Sequence, residues 1–240
     1  MAGLRDTAIS IRNAGRAVIR KMFPSFIANQ IANTGPIGDA NEIFNKGARG
    51  FFGMISPIQS RQELVPLLEL LQSTKPKTIM EIGTANGGTL FMLTRVVQAD
   101  GMIISLDLPG GDFGDGYGED RKALFESFAL PNQTMKLIRN DSHLAESLDH
   151  VKAILGDTKI DFLLIDGDHT YEGVKQDFEM YSPLVSDRGI IAFHDIVYVD
   201  DVGRYWSEEI KPKFSDTREF IATSGVQYGI GVAMKASYRG

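Results

Sequence analysis

From Arg61 onward the apolar positions alternate between two periods. Leu64, Leu67, Leu68 and Leu71 recur at helical spacing and stop at Lys75-Pro76, where proline cannot continue the hydrogen-bond ladder, so the spacing predicts a helix from Arg61. Thr78–Ile82 reads as a strand. A glycine-rich turn follows it, then a helix from about Gly88 to Val97, and a second strand over Met102–Leu106 that closes on Asp107. The alternation continues with a helix around Arg121–Ala129, a strand over Met135–Ile138, a helix over Leu144–Leu155 and a strand over Ile160–Ile165. A helix near Tyr171–Tyr181 and a strand over Gly189–Phe193 come next. These strands are continuous apolar runs, the pattern of parallel strands buried on both faces. After a helix near Val202–Ile210, Arg218–Ile221 and Gly231–Met234 flank a short glycine-containing loop, and an antiparallel pair completing the sheet is expected.

Regular strand–helix alternation implies an α/β fold: a Rossmann-like doubly wound sheet, mostly parallel with a C-terminal antiparallel pair, plus an N-terminal helical extension. The expected division is residues 1–57 as that extension with a lid-like connector, and 58–240 as the sheet domain. In the connector, Gly50-Phe51-Phe52-Gly53 fits either an anchor to the core or a cover over a ligand. Residues 1–31 carry Arg5, Arg12, Arg16, Arg20 and Lys21 against Asp6 alone, interleaved with apolar residues. Such an amphipathic segment packs on its own domain, on a neighbouring subunit or on a membrane surface.

Composition narrows the function classes. A hydrophobic content of 43% with 23% charged residues suits a soluble globular protein, and no apolar run approaches the roughly 18 residues of a membrane span. The chain has no cysteine, which removes disulfides, thiolate nucleophiles and zinc–thiolate sites. Without a secretory-signal pattern a cytoplasmic location is expected, peripheral at the membrane if residues 1–31 face lipid. The net charge of −6 argues against a nucleic-acid partner. A homo-oligomer is expected.

In an open parallel sheet, ligands collect beyond the C-terminal strand ends. Here those ends are acidic: Glu81-Ile-Gly83, Asp107, Asp141-Ser142, Asp166-Gly-Asp168-His169 and His194-Asp195. Gly83-Thr84-Ala85-Asn86-Gly87-Gly88 departs from the G-x-G-x-x-G of dinucleotide sites. Glu81 before the turn disfavours a pyrophosphate and suits the cationic aminoacyl end of S-adenosylmethionine. Asp107, 24 residues after Gly83 and followed by Leu108, is placed for ribose hydroxyls, and Asp141-Ser142 for the adenine edge. Asp166 and Asp195 end adjacent strands with His194 beside them, a donor set for a hard divalent cation that would lower the pKa of a bound hydroxyl. His169 has the chemistry of a general base for that hydroxyl, or of a helix-terminal residue bonding to backbone. His143 reads as structural and His150 as exposed.

Ile165-Asp-Gly-Asp-His-Thr-Tyr-Glu-Gly-Val-Lys-Gln-Asp177 followed by Gly189-Ile-Ile-Ala-Phe-His-Asp195 resembles class I S-adenosylmethionine-dependent methyltransferases of the cephalosporin-hydroxylase-like and macrolide sugar O-methyltransferase type, over about residues 58–235. The resemblance implies magnesium held by Asp166, His194 and Asp195, with His169 as base. His194 stands where magnesium-dependent members carry Glu, which leaves open manganese, a supporting role for His194, or loss of the metal. The expected function is O-methylation of a hydroxyl on a sugar or glycosylated small molecule. The alternatives are an iron-dependent hydroxylase and a non-catalytic S-adenosylmethionine-binding or assembly protein.

Overall fold

The structure is a computed structural model describing residues 28–239 except 32, 50 and 111–115. The basic segment 1–27 and the middle of the glycine-rich loop 109–118 therefore lie outside the described residues, and with them most of the expected membrane or subunit contact through 1–31.

Seven strands form one sheet: β1 Thr78–Ile82, β2 Met102–Asp107, β3 Thr134–Arg139, β4 Ile160–Ile165, β5 Val185–His194, β6 Thr217–Phe220 and β7 Ile230–Met234. The order is β3-β2-β1-β4-β5-β7-β6. β1 to β5 are mutually parallel, and β7 runs antiparallel to both neighbours, so the expected hairpin forms with its second strand inserted beside β5. The chain reverses its winding direction between β1 and β4, which opens a crevice at their C-terminal ends.

Both faces of the sheet are apolar because alternate residues of each central strand feed separate cores. Ile79, Ile103, Phe162 and Leu164 pack with α1 (Ala40–Arg49), α2 (Arg61–Thr74), α3 (Gly88–Val96) and α4 (Lys122–Glu126). Met80, Ile82, Leu163 and Ile165 pack with α5 (Ala145–Leu155), α6 (Tyr171–Tyr181) and α7 (Asp200–Tyr205). Burial on both sides explains why the strands lack a polar face.

The elements differ from the sequence reading at four points. Helix α1, with Ala40 and Ile43 buried, falls in the N-terminal extension without having been located there. The helix expected over Arg121–Ala129 is only Lys122–Glu126, preceded by a 3-10 turn at Glu119–Arg121. The helix expected near Val202–Ile210 starts at Asp200 and widens into a π-turn over Trp206–Ile210. Strand β5 begins at Val185, four residues early, because its pairing jumps from Ile160↔Val185 to Phe162↔Ile190.

Candidate active site

A cleft of about 780 Å³ lies over the C-terminal ends of β1, β2 and β4, within the range of small-molecule sites. One end is built by the turn after β1. Gly83 has φ +86°, and a Cβ there would lie 1.9 Å from the Asp166 carbonyl oxygen, so the turn can pass β4 only because this residue has no side chain. Gly88 has the same role toward the connector, since its Cβ would lie 2.2 Å from the Pro57 nitrogen. Asp107 at the end of β2 accepts from the Thr84 and Ala85 amides through Oδ2, at 2.9 Å each, and from the Leu108 amide through Oδ1 at 2.9 Å. Burial raises its pKa in spite of these three donors.

The other end is a cluster of carboxylates and imidazoles. Asp166, just beyond β4, has Oδ1 2.9 Å from His194 Nδ1 and 3.6 Å from His169 Nε2. Asp195 Oδ2 lies 3.0 Å from His169 Nε2 and 3.4 Å from His194 Nδ1. Asp195 adopts a left-handed φ of 62°, backbone strain of the kind held at functional sites. Hydrogen bonds to Asp166 and Asp195 carry His169 up to about 10. Burial opposes a charge on His194, yet the Asp166 and Asp195 carboxylates hold it up to about 10 as well. In return, burial of Asp195 is overcome by both rings, which bring it down to about 2, and Asp166 is likewise held below its ordinary value. Two imidazolium rings thus offset two carboxylates. Ligand atoms of Asp166, His169 and Asp195 all lie within 4.8 Å of one another, the spacing of a cation site.

Residues 80–196 match the methyltransferase-domain family. An uncharacterized protein of Sinorhizobium fredii is 31% identical over 150 residues, 58% of this chain and 16% of the relative. An uncharacterized protein of Acanthamoeba polyphaga mimivirus is 30% identical over 156 residues, 61% of this chain and 62% of the relative. The chain thus spans less than two thirds of either relative. Solved O-methyltransferases share the fold. An O-methyltransferase from Bacillus cereus in complex with S-adenosylhomocysteine superposes with a TM-score of 0.55 at 18% identity, covering 87% of this chain and 97% of that one. The O-methyltransferase TomG from Streptomyces achromogenes, in complex with S-adenosylmethionine, gives 0.51 at 15% identity over 87% and 95%.

Most residues singled out from sequence reach the cleft: Gly83, Thr84, Ala85, Gly88, Asp107, Leu108, Asp141, Ser142, Asp166, His169, His194 and Asp195 line it. Glu81 and Gly87 do not. Glu81 is 1% exposed beneath the turn, accepting from Thr84 Oγ1 at 2.8 Å, and burial pushes its carboxyl well above the ordinary range. The carboxyl therefore lies beneath the lining of the cleft and not on it. Gly87 faces the Phe125 ring instead. In the connector, Phe51 packs edge-on against Phe91 at 5.3 Å and is 7% exposed, so it anchors the loop and does not cover the cleft.

The sequence reading assigned His194 as a third cation ligand. Its Nδ1 is engaged by Asp166 while Nε2 is buried without a partner, and the ring grouped with the two carboxylates as a cation set is His169. The carboxylates beside His169 favour its charged form, whereas a general base acts from the neutral one. His143 bonds the Gly173 carbonyl at 3.2 Å, and His150 is exposed, as expected. Two residues escaped the sequence reading. Gln59 donates to Asp166 Oδ2 at 2.7 Å. Glu63, fully buried, accepts from the Ser60, Tyr228 and Gly229 amides at 2.8, 3.0 and 2.9 Å and so ties α2 to the loop beside His194. Ser60-x-x-Glu63 is a capping-box pattern, the one signal that would have found it.

Proposed function

We propose that the chain transfers a methyl group from S-adenosylmethionine to a hydroxyl of a small molecule, a sugar or a glycosylated metabolite. The observation that carries this reading is one cleft with the Gly83–Gly88 turn and Asp107 at one end and the Asp166, His169, Asp195 cluster at the other. We read residues 58–240 as the S-adenosylmethionine-binding unit and 1–57 as its extension.

The lining fits the methyl donor. Thr84 and Ala85 present backbone at the turn, Asp107 offers carboxylate oxygens to ribose hydroxyls, and Leu108 with Asp141-Ser142 flanks the place of an adenine. The cluster fits a divalent cation: two carboxylates converge, and Asp195 Oδ1 is buried without a partner. Magnesium or manganese held by Asp166 and Asp195 with an imidazole would acidify the acceptor hydroxyl and offset the carboxylates that otherwise keep His169 protonated.

S-adenosylmethionine supplies an electrophilic methyl group, so the chain's tasks are orientation and removal of one proton. As the oxygen–methyl bond forms and the sulfur–methyl bond breaks, the hydroxyl proton passes to the imidazole of His169, which takes it up once it has released to solvent the proton that Asp166 and Asp195 favour on it. Asp195 holds that ring by its 3.0 Å contact.

The test is release of S-adenosylhomocysteine in the presence of sugar and phenolic acceptors, with and without chelator. Turnover abolished in Asp166→Ala and His169→Ala is the expected result. Silence with every acceptor, or variants as active as the parent, would sink the reading. Binding of S-adenosylhomocysteine without any response to 2-oxoglutarate separates it from an iron-dependent hydroxylase.

A further inference from the structure

We propose that Gln59 is a positioning residue that divides the two oxygens of Asp166, reserving Oδ2 for the connector and offering Oδ1 alone to the cluster. Gln59 is 7% exposed and makes two side-chain hydrogen bonds: Nε2 donates to Asp166 Oδ2 at 2.7 Å, and Oε1 accepts from Thr89 Oγ1 at 2.9 Å. Chemistry fixes the direction of the amide. An ionised carboxylate only accepts, so the NH₂ group must face Asp166 and the carbonyl must face Thr89, whose hydroxyl can donate. The other Asp166 oxygen, Oδ1, is the one that meets His194 at 2.9 Å and His169 at 3.6 Å. With Oδ2 capped, the carboxylate plane cannot rotate to present both oxygens to one ligand.

The segment that delivers Gln59 is itself fastened. Gly88 lets the Pro57 backbone close onto the glycine turn, Arg121 donates to the Met54 carbonyl at 3.0 Å, and Glu63 accepts from the Ser60 amide at 2.8 Å. Thr89 stands in the first turn of α3, directly behind the glycine turn. Gln59 therefore links the element under the methyl donor to a carboxylate 107 residues away that orients the acceptor. A neutral side chain does this without adding charge to a site already holding two carboxylates and two imidazoles.

The effect on rate rests on the methyl-transfer reading above; the effect on Asp166 does not. The test compares the full chain with Gln59→Leu, which keeps the volume and removes both hydrogen bonds, and with Thr89→Val and Thr89→Ser. Crystal structures are expected to show the Asp166 carboxylate rotated in Gln59→Leu and in its parental place in Thr89→Ser. Groups that hydrogen-bond a ligating side chain are worth about 10–100-fold in metal affinity or activity. Mn²⁺ affinity read by electron paramagnetic resonance should accordingly fall about tenfold, with kcat falling by a similar factor, while KM for S-adenosylmethionine and the Kd of S-adenosylhomocysteine stay within about twofold. An unmoved Asp166 in Gln59→Leu, or a loss in S-adenosylhomocysteine affinity as large as the loss in kcat, overturns the proposal, the second because it marks a mere anchor of the connector. If Gln59→Leu does not fold, Thr89→Val carries the same readouts at smaller amplitude. A parent without methyl transfer sinks the proposed function and leaves the crystallographic comparison to decide the role of Gln59.

Discussion

His169 Nε2 lies 3.0 Å from Asp195 Oδ2 and 3.6 Å from Asp166 Oδ1, so one imidazolium spans two carboxylates from adjacent strands. The contact links stability to pH in a defined window. His169 is raised from 6.5 to about 10, so the stability it contributes is complete below about pH 6.5 and drains away as pH rises through 10. Asp195 is lowered from 3.8 to about 2, so its contribution is complete above about pH 3.8 and is lost as pH falls through 2. In cation-free protein the melting temperature of the parent should therefore exceed that of His169→Asn most between about pH 4 and 6.5, and the gap should close by pH 10. A gap independent of pH over that range, measured by calorimetry, would show that His169 is not charged in the fold.

The same ring predicts the proton balance of cation binding. A divalent cation at Asp166 and Asp195 competes with the proton that those carboxylates hold on His169, and metal binding to occupied ligands releases protons. Titration of Mn²⁺ at pH 7.5 in two buffers of different ionisation enthalpy should show release of about one proton in the parent and clearly less in His169→Asn. Equal release in the two proteins would place the displaced proton elsewhere, with His194 the next ring to examine.

Asp107 joins the glycine turn to the proposed cofactor site. Its Oδ2 gathers the Thr84 and Ala85 amides, and it lines the cleft, where the proposed function has it meet ribose hydroxyls. In Asp107→Asn an amide NH₂ either faces those two backbone donors or turns its oxygen toward them and loses the Leu108 amide. Hydrogen bonds to charged groups are worth about 1.5–3 kcal/mol, so S-adenosylhomocysteine affinity should fall about tenfold to a hundredfold. Calorimetric binding within a factor of two of the parent would remove Asp107 from the cofactor site.

How much of this could be seen in the sequence depended on whether burial was symmetric. β1, β2 and β4 were legible because runs such as Phe162-Leu-Leu-Ile165 are buried on both faces, and the acids that follow them stand out against that background. The first half of β5 was not, because Asp187 and Arg188 are exposed where the strand bulges away from β4. Helix α1 hid for a related reason: Ile43 is its one large fully buried side chain. Local pattern also carries no information on strand order, so the insertion of β7 between β5 and β6 appeared only in three dimensions. At the site, the strand-end carboxylates and histidines were readable from chemistry. Gln59 was not, since a neutral amide in a connector has no periodicity and its meaning comes from a partner 107 residues away.

Gly83 is where the two halves of the cleft meet, and it gives the sharpest structural test. Its amide donates to the Leu106 carbonyl at 2.9 Å, and the Asp166 amide donates to the neighbouring Ile82 carbonyl at 2.9 Å, so the end of β1 is stitched to β2 on one side and β4 on the other. A methyl group here would meet backbone, the Asp166 carbonyl at 1.9 Å, in a residue that also holds φ +86°. Left-handed strain costs roughly 1–2 kcal/mol and forced overpacking about 1–3 kcal/mol, so Gly83→Ala should lose about 3 kcal/mol. For a chain of this size that is about 10 °C in melting temperature. Because the carbonyl that must give way belongs to Asp166, both S-adenosylhomocysteine binding and Mn²⁺ binding should weaken together. Gly38→Ala is the control: its φ is ordinary and the nearest atom is the flexible Glu42 Oε2 at 3.7 Å, so its stability should change by less than about 0.5 kcal/mol. Gly83→Ala melting within a few degrees of Gly38→Ala, with both ligands bound normally, would mean that the turn does not pass β4 as closely as the fold requires.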